Sequence, residues 1–584
     1  MSVRRHRVLA LAAGATVMVG TLVVPGAAHA ATFEVTNLDD SGAGSLRQAI
    51  IDANASAGAD VITFESSLSA GVIVLTSGQL SVTDSVVISG PDGGLTVSGN
   101  DTSRVFSVSN GGVLIDVSIS GIDIIDGLAT DGAGILNLGE HLTLTDVSVT
   151  NNLSLGDGGG VWSSGPEHTL TLIDSALLFN TAVLDGGGMY VGDTGGGLSI
   201  ERSLVAENTA SENGGGLYFE SPDHDVIITT TRFHDNTAGD DGGGIYLSTT
   251  GGGSFTIDRS TLWSNRAMNG GGVFIDAPAH PTLIVSSTIS SNIALADGGG
   301  MFVEVGGAVT TSHSTTAFNG AEGGGGNIAA SSSFTLDHSI VSGGVATTSP
   351  DIDTTADLFA DFSLVEDASG LSIVGGDNIV GSDPELNEID LTAAEWTHVP
   401  APTSPAVDAG DPGFAGPPTI DQRGMPRVLG VRVDIGAVEN GMPVDDAVAT
   451  AEDTPLVVAA PGVLANDPVD GTVIVDLGSL PTHGTLALAD DGSYTYTPAP
   501  DYHGPDSFTY WATFVRDGFS VGGGRATVTI TVTPVVDPPP LVPGRLPDTG
   551  GDRLPISTLA AGLLVAGSAL TFTSRRQRPS SPTN

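Results

Sequence analysis

The stretch "DNTAGDDGGGIYLS", residues 235–248, sets three consecutive glycines between a carboxylate and an apolar–aromatic pair. The arrangement recurs along the chain. Aligned on an asparagine, the copies carry Asn152, Asn180, Asn208, Asn236, Asn265 and Asn292, 28 residues apart with a one-residue slip around Asn265. Eight residues before each stands Leu144, Leu172, Ile200, Ile228, Ile257 or Ile284, and three before it Val149, Leu177, Val205, Phe233, Leu262 or Ile289. Self-similarity at such a period is the mark of a solenoid. The β-branched, Leu and aromatic residues alternate with period two, so the units are strands. This predicts a right-handed parallel β-helix with two or three short strands per coil.

Each glycine triplet follows a carboxylate or amide: Asp157, Asp185, Asn213, Asp241, Asn269 and Asp297. Stacked coils lie ~4.8 Å apart, so every corner presses on the same corner of its neighbours. Glycine alone combines positive φ with close backbone approach there. The Asn column is predicted to form an internal amide ladder. After each triplet the pattern is apolar, aromatic, apolar. With the first and third pointing inward, the middle residue faces out. That makes a column of Trp162, Tyr190, Tyr218, Tyr246, Phe274 and Phe302 beside a second outward column of Glu220, Ser248, Asp276 and Glu304. Such a stripe suits a glycan chain or a partner surface. Stacking of the rings on one another, as a purely structural device, explains the same residues.

The chain has 584 residues, 67 Asp plus Glu against 19 Lys plus Arg, 82 Gly and no Cys. All the basic residues are arginine. The acidity argues against nucleic acid as a partner. The lack of Cys excludes disulfides, thiolate metal sites and cysteine nucleophiles. Without lysine the chain can form no Lys–Asn isopeptide bond, and a monomer is expected. No cofactor is called for. Calcium is the cation that the Asp/Asn columns and Glu452, Asp453, Asp467 and Asp506 would suit as oxygen donors, although no dense ligand loop is present. The coils offer Arg202, Arg259 and Arg232 in scattered positions, with Arg202 expected to pair with Asp174 one coil away. A repeated carboxylate column is what a scaffold makes, so the chain is not expected to be an enzyme.

Both ends read as addresses. Arg4, Arg5 and Arg7 precede an apolar run from Val8 to Val24 and "AHA" at Ala28 to Ala30, a signal peptide over 1–30. Leu546, Pro547, Asp548, Thr549 and Gly550 resemble the LPxTG sorting signal of Gram-positive surface proteins. An apolar run from Ile556 to Thr573 follows, about the roughly 18–20 residues that span a membrane, and then Arg575, Arg576 and Arg578. The resemblance implies a sortase that cuts between Thr549 and Gly550 and joins Thr549 to the peptidoglycan.

Other stretches carry further resemblances. "GSLRQAI" (Gly44 to Ile50) resembles the SLREA-type motif that opens bacterial surface β-helices, with Gln48 in place of Glu. "FHDN" and "GGGIY" (233–236, 242–246) resemble the FxxN and GGA[ILV] repeats of polymorphic membrane proteins, β-helical adhesins. Residues 404–439 resemble a β-helix C-terminal cap marked by Asp408, Gly410, Asp421, Arg423, Gly424, Asp434 and Gly436, implying Asp–Arg pairing that closes the last coil. "EDTPLVVAAPGVLAND" (452–467) and "DYHGPDSFTYWA" (501–512) resemble bacterial cadherin-like, Ig-like modules.

The expected organisation is all-β: a parallel β-helix followed by a β-sandwich. Residues 1–30 are the signal peptide and 31–100 the N-terminal cap with the first coils. Residues 101–345 are the repeats, 346–440 the C-terminal cap, 441–535 the Ig/cadherin-like domain, 536–545 a Pro-rich stalk and 546–584 the sorting signal. The expected function is that of a secreted, wall-anchored adhesin that binds an extracellular glycan or protein. The alternatives are a polysaccharide lyase or glycoside hydrolase on the same scaffold, and a passive surface spacer.

Overall fold

A computed structural model describes residues 30–535, apart from 193–196, 221–223, 249–250, 278–280, 307, 390, 392–395, 402, 430–431, 441–442, 468–471 and 517–518. The expected signal peptide (but for Ala30), the expected stalk, and the expected sorting signal with its apolar run lie outside the described residues. Among the described residues no helix is long and apolar enough to cross a membrane.

The repeats form a parallel β-solenoid of about 11 turns. One typical coil contains Thr169–Ile173, Ala176–Leu178, Thr181–Ala182 and Met189–Gly192. That is four segments rather than two or three; the extra one is the two-residue strand just past the Asn. Stacked on their counterparts, the segments build sheets of 14, 13, eight and 11 strands. The register follows the sequence alignment. Leu172 pairs with Ile200, Ile200 with Ile228, Ile228 with Ile257 and Ile257 with Ile284, and all five are buried. The slip has a location. Ser248 still pairs with Asp276, whereas Phe255 pairs with Thr282. The extra residue therefore lies between Ser248 and Phe255, outside the paired strands.

The three glycines of each corner do three jobs. Gly242 has φ +68°, and a Cβ there would sit 2.6 Å from its own strand's Ile245 carbonyl oxygen. A Cβ on Gly243 would meet the Gly271 and Arg266 carbonyl oxygens at 2.5 Å. One on Gly244 would meet Gly272 oxygen at 2.6 Å and crowd the Asn265 amide. The other two bends rest mainly on residues other than glycine, with Gly121 and Gly343 as exceptions. Asp174, Arg202, Thr230, Arg259, Ser286 and His313 line one bend and Phe179, Glu207, Asp235, Ser264, Ser291 and Phe318 the other, all in the left-handed region that non-glycine residues seldom adopt. Each is followed by the inward ladder residue, a hydroxyl at the first bend and an Asn at the second.

The open N-terminal end carries the helix Leu46–Ala55, whose Ser45 side chain accepts from the Gln48 N–H. Its Leu46, Ala49, Ile50 and Ala53 are buried. Arg47 ties it down, pairing with Asp40 at 2.6 Å and donating to the Gly78 and Gln79 carbonyls.

Coiling runs past residue 345, with paired strands to Ile379–Val380. The cap-like segment then does something other than close the last coil: it turns back along the outside of the 13-stranded sheet. Gln422 Nε2 donates to the Ser260 carbonyl and Thr261 Oγ1, and Gln422 Oε1 accepts from Thr288. His398 bonds Ser290, and the Ala437 N–H donates to Thr315. Ala406 and Ile435 share an apolar cluster with Ile340 and Leu364. The expected Asp421–Arg423 pair is present at 3.2 Å, but it braces this lateral strap.

Residues 446–533 form a four-stranded and a three-stranded sheet, antiparallel except where Asp446–Ala451 pairs with Phe519–Thr533. Val528, Ile530 and Val532 point into the core and Thr529 and Thr531 outward, as the alternation requires.

Candidate functional site

The strands Val161–Ser164, Met189–Gly192, Leu217–Glu220, Ile245–Ser248, Val273–Ala277 and Met301–Gly306 lie side by side in the 11-stranded sheet. Their first and third residues, such as Ile245 and Leu247, are fully buried. The middle residues form one unbroken stack. Ring centroids are 6.0 Å apart from Trp162 to Tyr190, then 4.9, 5.0, 5.1 and 5.2 Å through Tyr218, Tyr246, Phe274 and Phe302, with planes within 8° throughout. The ring spacing is thus the coil spacing. Phe274 is buried and the other five are half-buried. The faces between neighbours are spent on each other, which leaves ring edges and tyrosine hydroxyls toward solvent. Pairs of this kind contribute ~0.5–1.5 kcal/mol each beyond burial.

Acidic groups flank the stack on both sides. Glu220, Ser248 and Asp276 follow one another in register. The register then shifts between Ile275 and Asp276, so that Val305, not Glu304, stands opposite Asp276. Glu304 leaves the column but stays within its field. Burial, and then Asp276 and Asp241, raise its carboxyl above the usual range. Tyr218 donates to Glu220 at 3.2 Å. Burial and the Glu220 and Asp185 charges push the Tyr218 hydroxyl far up, while burial, Asp276 and Asp241 take Tyr246 to about 12. On the other flank runs the column before the glycines. Asn213 Nδ2 donates to Asp185 at 3.1 Å and Asn269 Nδ2 to Asp241 at 2.9 Å. Alternating amides thereby separate carboxylates that would otherwise stack directly. Asp157 and Asp185 are adjacent without an amide between them, and burial is the main force taking Asp185 to about 6.

The Asn column is an interior ladder. Nδ2 of Asn152 reaches Oδ1 of Asn180 at 2.9 Å, and the same bond repeats through Asn208, Asn236, Asn265 and Asn292. It continues to Asn319 and Asn327 and ends on the Asp351 carboxylate. These asparagines are scaffold. A hydroxyl ladder parallels it: Ser203 Oγ accepts the Ser175 N–H, and Thr231 Oγ1 accepts the Ser203 N–H. Its signal in the sequence is the Ser or Thr five residues before each Asn from Asn180 to Asn292. Arg202 pairs with Asp174 at 2.8 Å on the surface.

Among the described residues, one group of three His, Asp or Glu side chains is close enough to share an ion: His313, Asp337 and His338. Most of its ligand atoms are already engaged, while His313 Nε2 is buried without a hydrogen-bond partner. His338 Nδ1 bonds Asp337 at 2.6 Å, and His338 Nε2 accepts from the Asp411 N–H. The two imidazoles stack face to face at 4.5 Å beneath Phe414, so their in-plane lone pairs do not converge. Burial, and then the positive charge of nearby Arg427, pushes His313 down to about 2. The group anchors the strap. Glu452, Asp453, Asp467 and Asp506 do not converge either. Asp506 accepts from the N–H groups of Thr482 and His483 and from Tyr496, and Asp467 accepts from Tyr510 and the Val444 N–H.

Residues 440–534 match the bacterial cadherin-like domain family. No curated protein and no solved structure is significantly similar to the chain. A cadherin-like domain joined to a β-helix is the composition of a surface or adhesion-type protein.

Proposed function

We propose that the chain is a bacterial adhesin, fixed to the cell wall through its LPDTG signal and binding an extracellular glycan or protein through the aromatic stripe of the solenoid. The observation that carries this reading is the stack from Trp162 to Phe302 flanked by Glu220 and Asp276 on a rigid repeat scaffold. A ladder of this kind presents the same groups once per coil, which suits a repeating ligand. Binding is assigned in preference to catalysis because the carboxylates of the solenoid recur in columns, whereas a catalytic pair breaks a repeat.

A glycan and matrix-protein array probed with the secreted chain tests the binding. The double change Tyr218→Ser/Tyr246→Ser should abolish the hits, and unchanged hits would remove the stripe as the site. For the anchoring, the Thr549–Gly550 amide breaks and the Thr549 carbonyl forms a new amide with a wall amine. Expression in a sortase-bearing host should leave the chain in the wall fraction. Thr549→Ala should move it to the membrane and medium. An unchanged wall fraction would exclude this linkage.

A further inference from the structure

We propose that the ligand of the stripe is a cationic β-1,4-linked glycan, a glucosamine polymer with free amines, lying along the solenoid axis with one sugar per coil. This deepens the binding reading above and rests on it.

The first argument is charge. The strands of the 11-stranded sheet contain no Arg and no His. Among the described residues, Glu220, Asp276 and Glu304 flank the stack on one side and Asp185 and Asp241 on the other. Elsewhere the chain pairs carboxylates with its few arginines, as in Asp40–Arg47, Asp174–Arg202 and Asp258–Arg259. Among the described residues, the strands of the stripe's sheet supply no arginine to pair with these carboxylates. The ionised form of Glu304 is disfavoured by burial and by repulsion from the Asp276 and Asp241 carboxylates. An arriving row of ammonium groups relieves it and is drawn in by the same field.

The second argument is geometry. Neutral sugars favour exposed aromatic faces, and here each inner ring has both faces against its neighbours at 4.9–5.2 Å, or 6.0 Å at the Trp162 end. What remains are ring edges, the hydroxyls of the three tyrosines and the carboxylates beside them. The hydroxyls and carboxylates are partners for sugar hydroxyls and amines.

The third argument is the repeat, which separates a glycan from a basic peptide. Same-face residues of an extended peptide lie ~6.6–6.8 Å apart, so a peptide falls out of step with rings 4.9–5.2 Å apart within two coils. A β-1,4-linked pyranose chain advances by about one coil per sugar and stays in step across the six rings.

The test uses the full chain and a fluorescent, fully deacetylated glucosamine hexamer at low ionic strength. Three comparisons accompany it: the N-acetylated hexamer, hexalysine, and the variants Glu220→Gln/Asp276→Asn/Glu304→Gln and Glu65→Gln/Asp101→Asn/Asp116→Asn. The glucosamine hexamer should bind at least tenfold more tightly than its acetylated form and than hexalysine. The stripe variant should lose at least tenfold in affinity, and the variant at three exposed acids of the first coils should lose none. Melting curves check that both are folded. Should the triple variant melt early, Glu220→Gln and Asp276→Asn singly should each weaken binding severalfold. Equal binding of the acetylated hexamer, equal binding of hexalysine, equal losses in the two variants, or no binding by the wild type would each overturn the inference. A wild type that ignores the hexamer yet retains stripe-dependent hits on the array overturns this inference alone; one with no array hits overturns the reading beneath it.

Discussion

Oδ1 of Asn208 accepts two hydrogen bonds from Asn180, one from its backbone N–H at 3.0 Å and one from its Nδ2 at 3.0 Å, while Asn208 Nδ2 donates to the Leu177 carbonyl at 2.9 Å. Every atom of that buried amide is used. Asn208→Ala strands two donors and leaves the carbonyl without this bond, and each unsatisfied buried group costs ~1–3 kcal/mol. Destabilisation of about 3 kcal/mol or more is expected in urea unfolding, with hydrogen exchange fastest in the coils of Leu177 and Val205. A loss below 1 kcal/mol would mean that the ladder is not what holds this corner.

The glycine corner separates close approach from mere flexibility. Gly243→Ala drives a Cβ against two backbone oxygens at 2.5 Å, whereas a Cβ on Gly197 meets nothing nearer than 3.9 Å. Overpacking costs typically ~1–3 kcal/mol, and here the obstacle is backbone that cannot swing aside. Gly243→Ala should fall at or above the top of that range. Gly197→Ala should be neutral or stabilise by up to ~1 kcal/mol, through the unfolded state. Melting temperatures of the two variants side by side make the check.

The repeat was legible because its physics is local and iterated. A row such as Ile200, Ile228 and Ile257 shows in the sequence as soon as the Asn is aligned, and so does the outward step from Ile245 to Tyr246. The left-handed bends were not legible, because Arg202, Thr230 and Ser286 share a backbone angle and no side-chain chemistry. Nor was the strap: Gln422 bonds Ser260 across 162 residues, and no periodicity announces one long-range crossing. At the stripe the sequence placed the aromatic and acidic rows. It could not show the bulge that displaces Glu304, since a bulge is a defect of pairing and not of composition.

Stability should rise on mild acidification. Asp185, Asp434 and Asp446 each stand at about 6 in the fold, burial being the largest cause, against an ordinary value of 3.8. Between those two values the folded chain holds protons that the unfolded chain has lost, so stability falls as pH climbs from about 4 to about 6. Asp40 and His313 run the other way: burial and Arg427 hold His313 at about 2, so its contribution is lost as pH falls from about 6.5. Hydrogen bonds from Ser77, Arg47 and Thr76 outweigh burial and hold Asp40 at about 2, so its contribution is full above 3.8 and is lost as pH falls through about 2. A melting maximum between pH 4 and 5 is expected. Asp185→Asn should flatten the slope between pH 4 and 6 and raise the melting temperature at pH 8. A maximum at pH 7 or above would contradict the assignment.

The strap stands on a buried ion pair that the sequence did not announce. Arg427 Nη1 lies 3.7 Å from Glu439 Oε1, with both side chains 1% exposed, and Arg427 Nη2 donates to the His313 and Gly436 carbonyls. Removing one member of such a pair costs ~3–5 kcal/mol, because the other charge stays buried without compensation. Burial and the Asp434 carboxylate already push Glu439 upward, and Arg427 restrains it. Without that cation the carboxyl rises further, and ionising it in the fold grows costlier as pH increases. Glu439 stands at about 9 with Arg427 present, so Arg427→Met should be less damaging at pH 7 than at pH 10. Arg427→Met/Glu439→Gln removes the stranded charge and keeps an acceptor for the Asp434 N–H, so it should recover most of the loss at pH 10 and respond little to pH. Denaturant unfolding at the two pH values, followed by the fluorescence of Trp396 in the strap, distinguishes this from a packing role, in which the single and double variants would fall together at both.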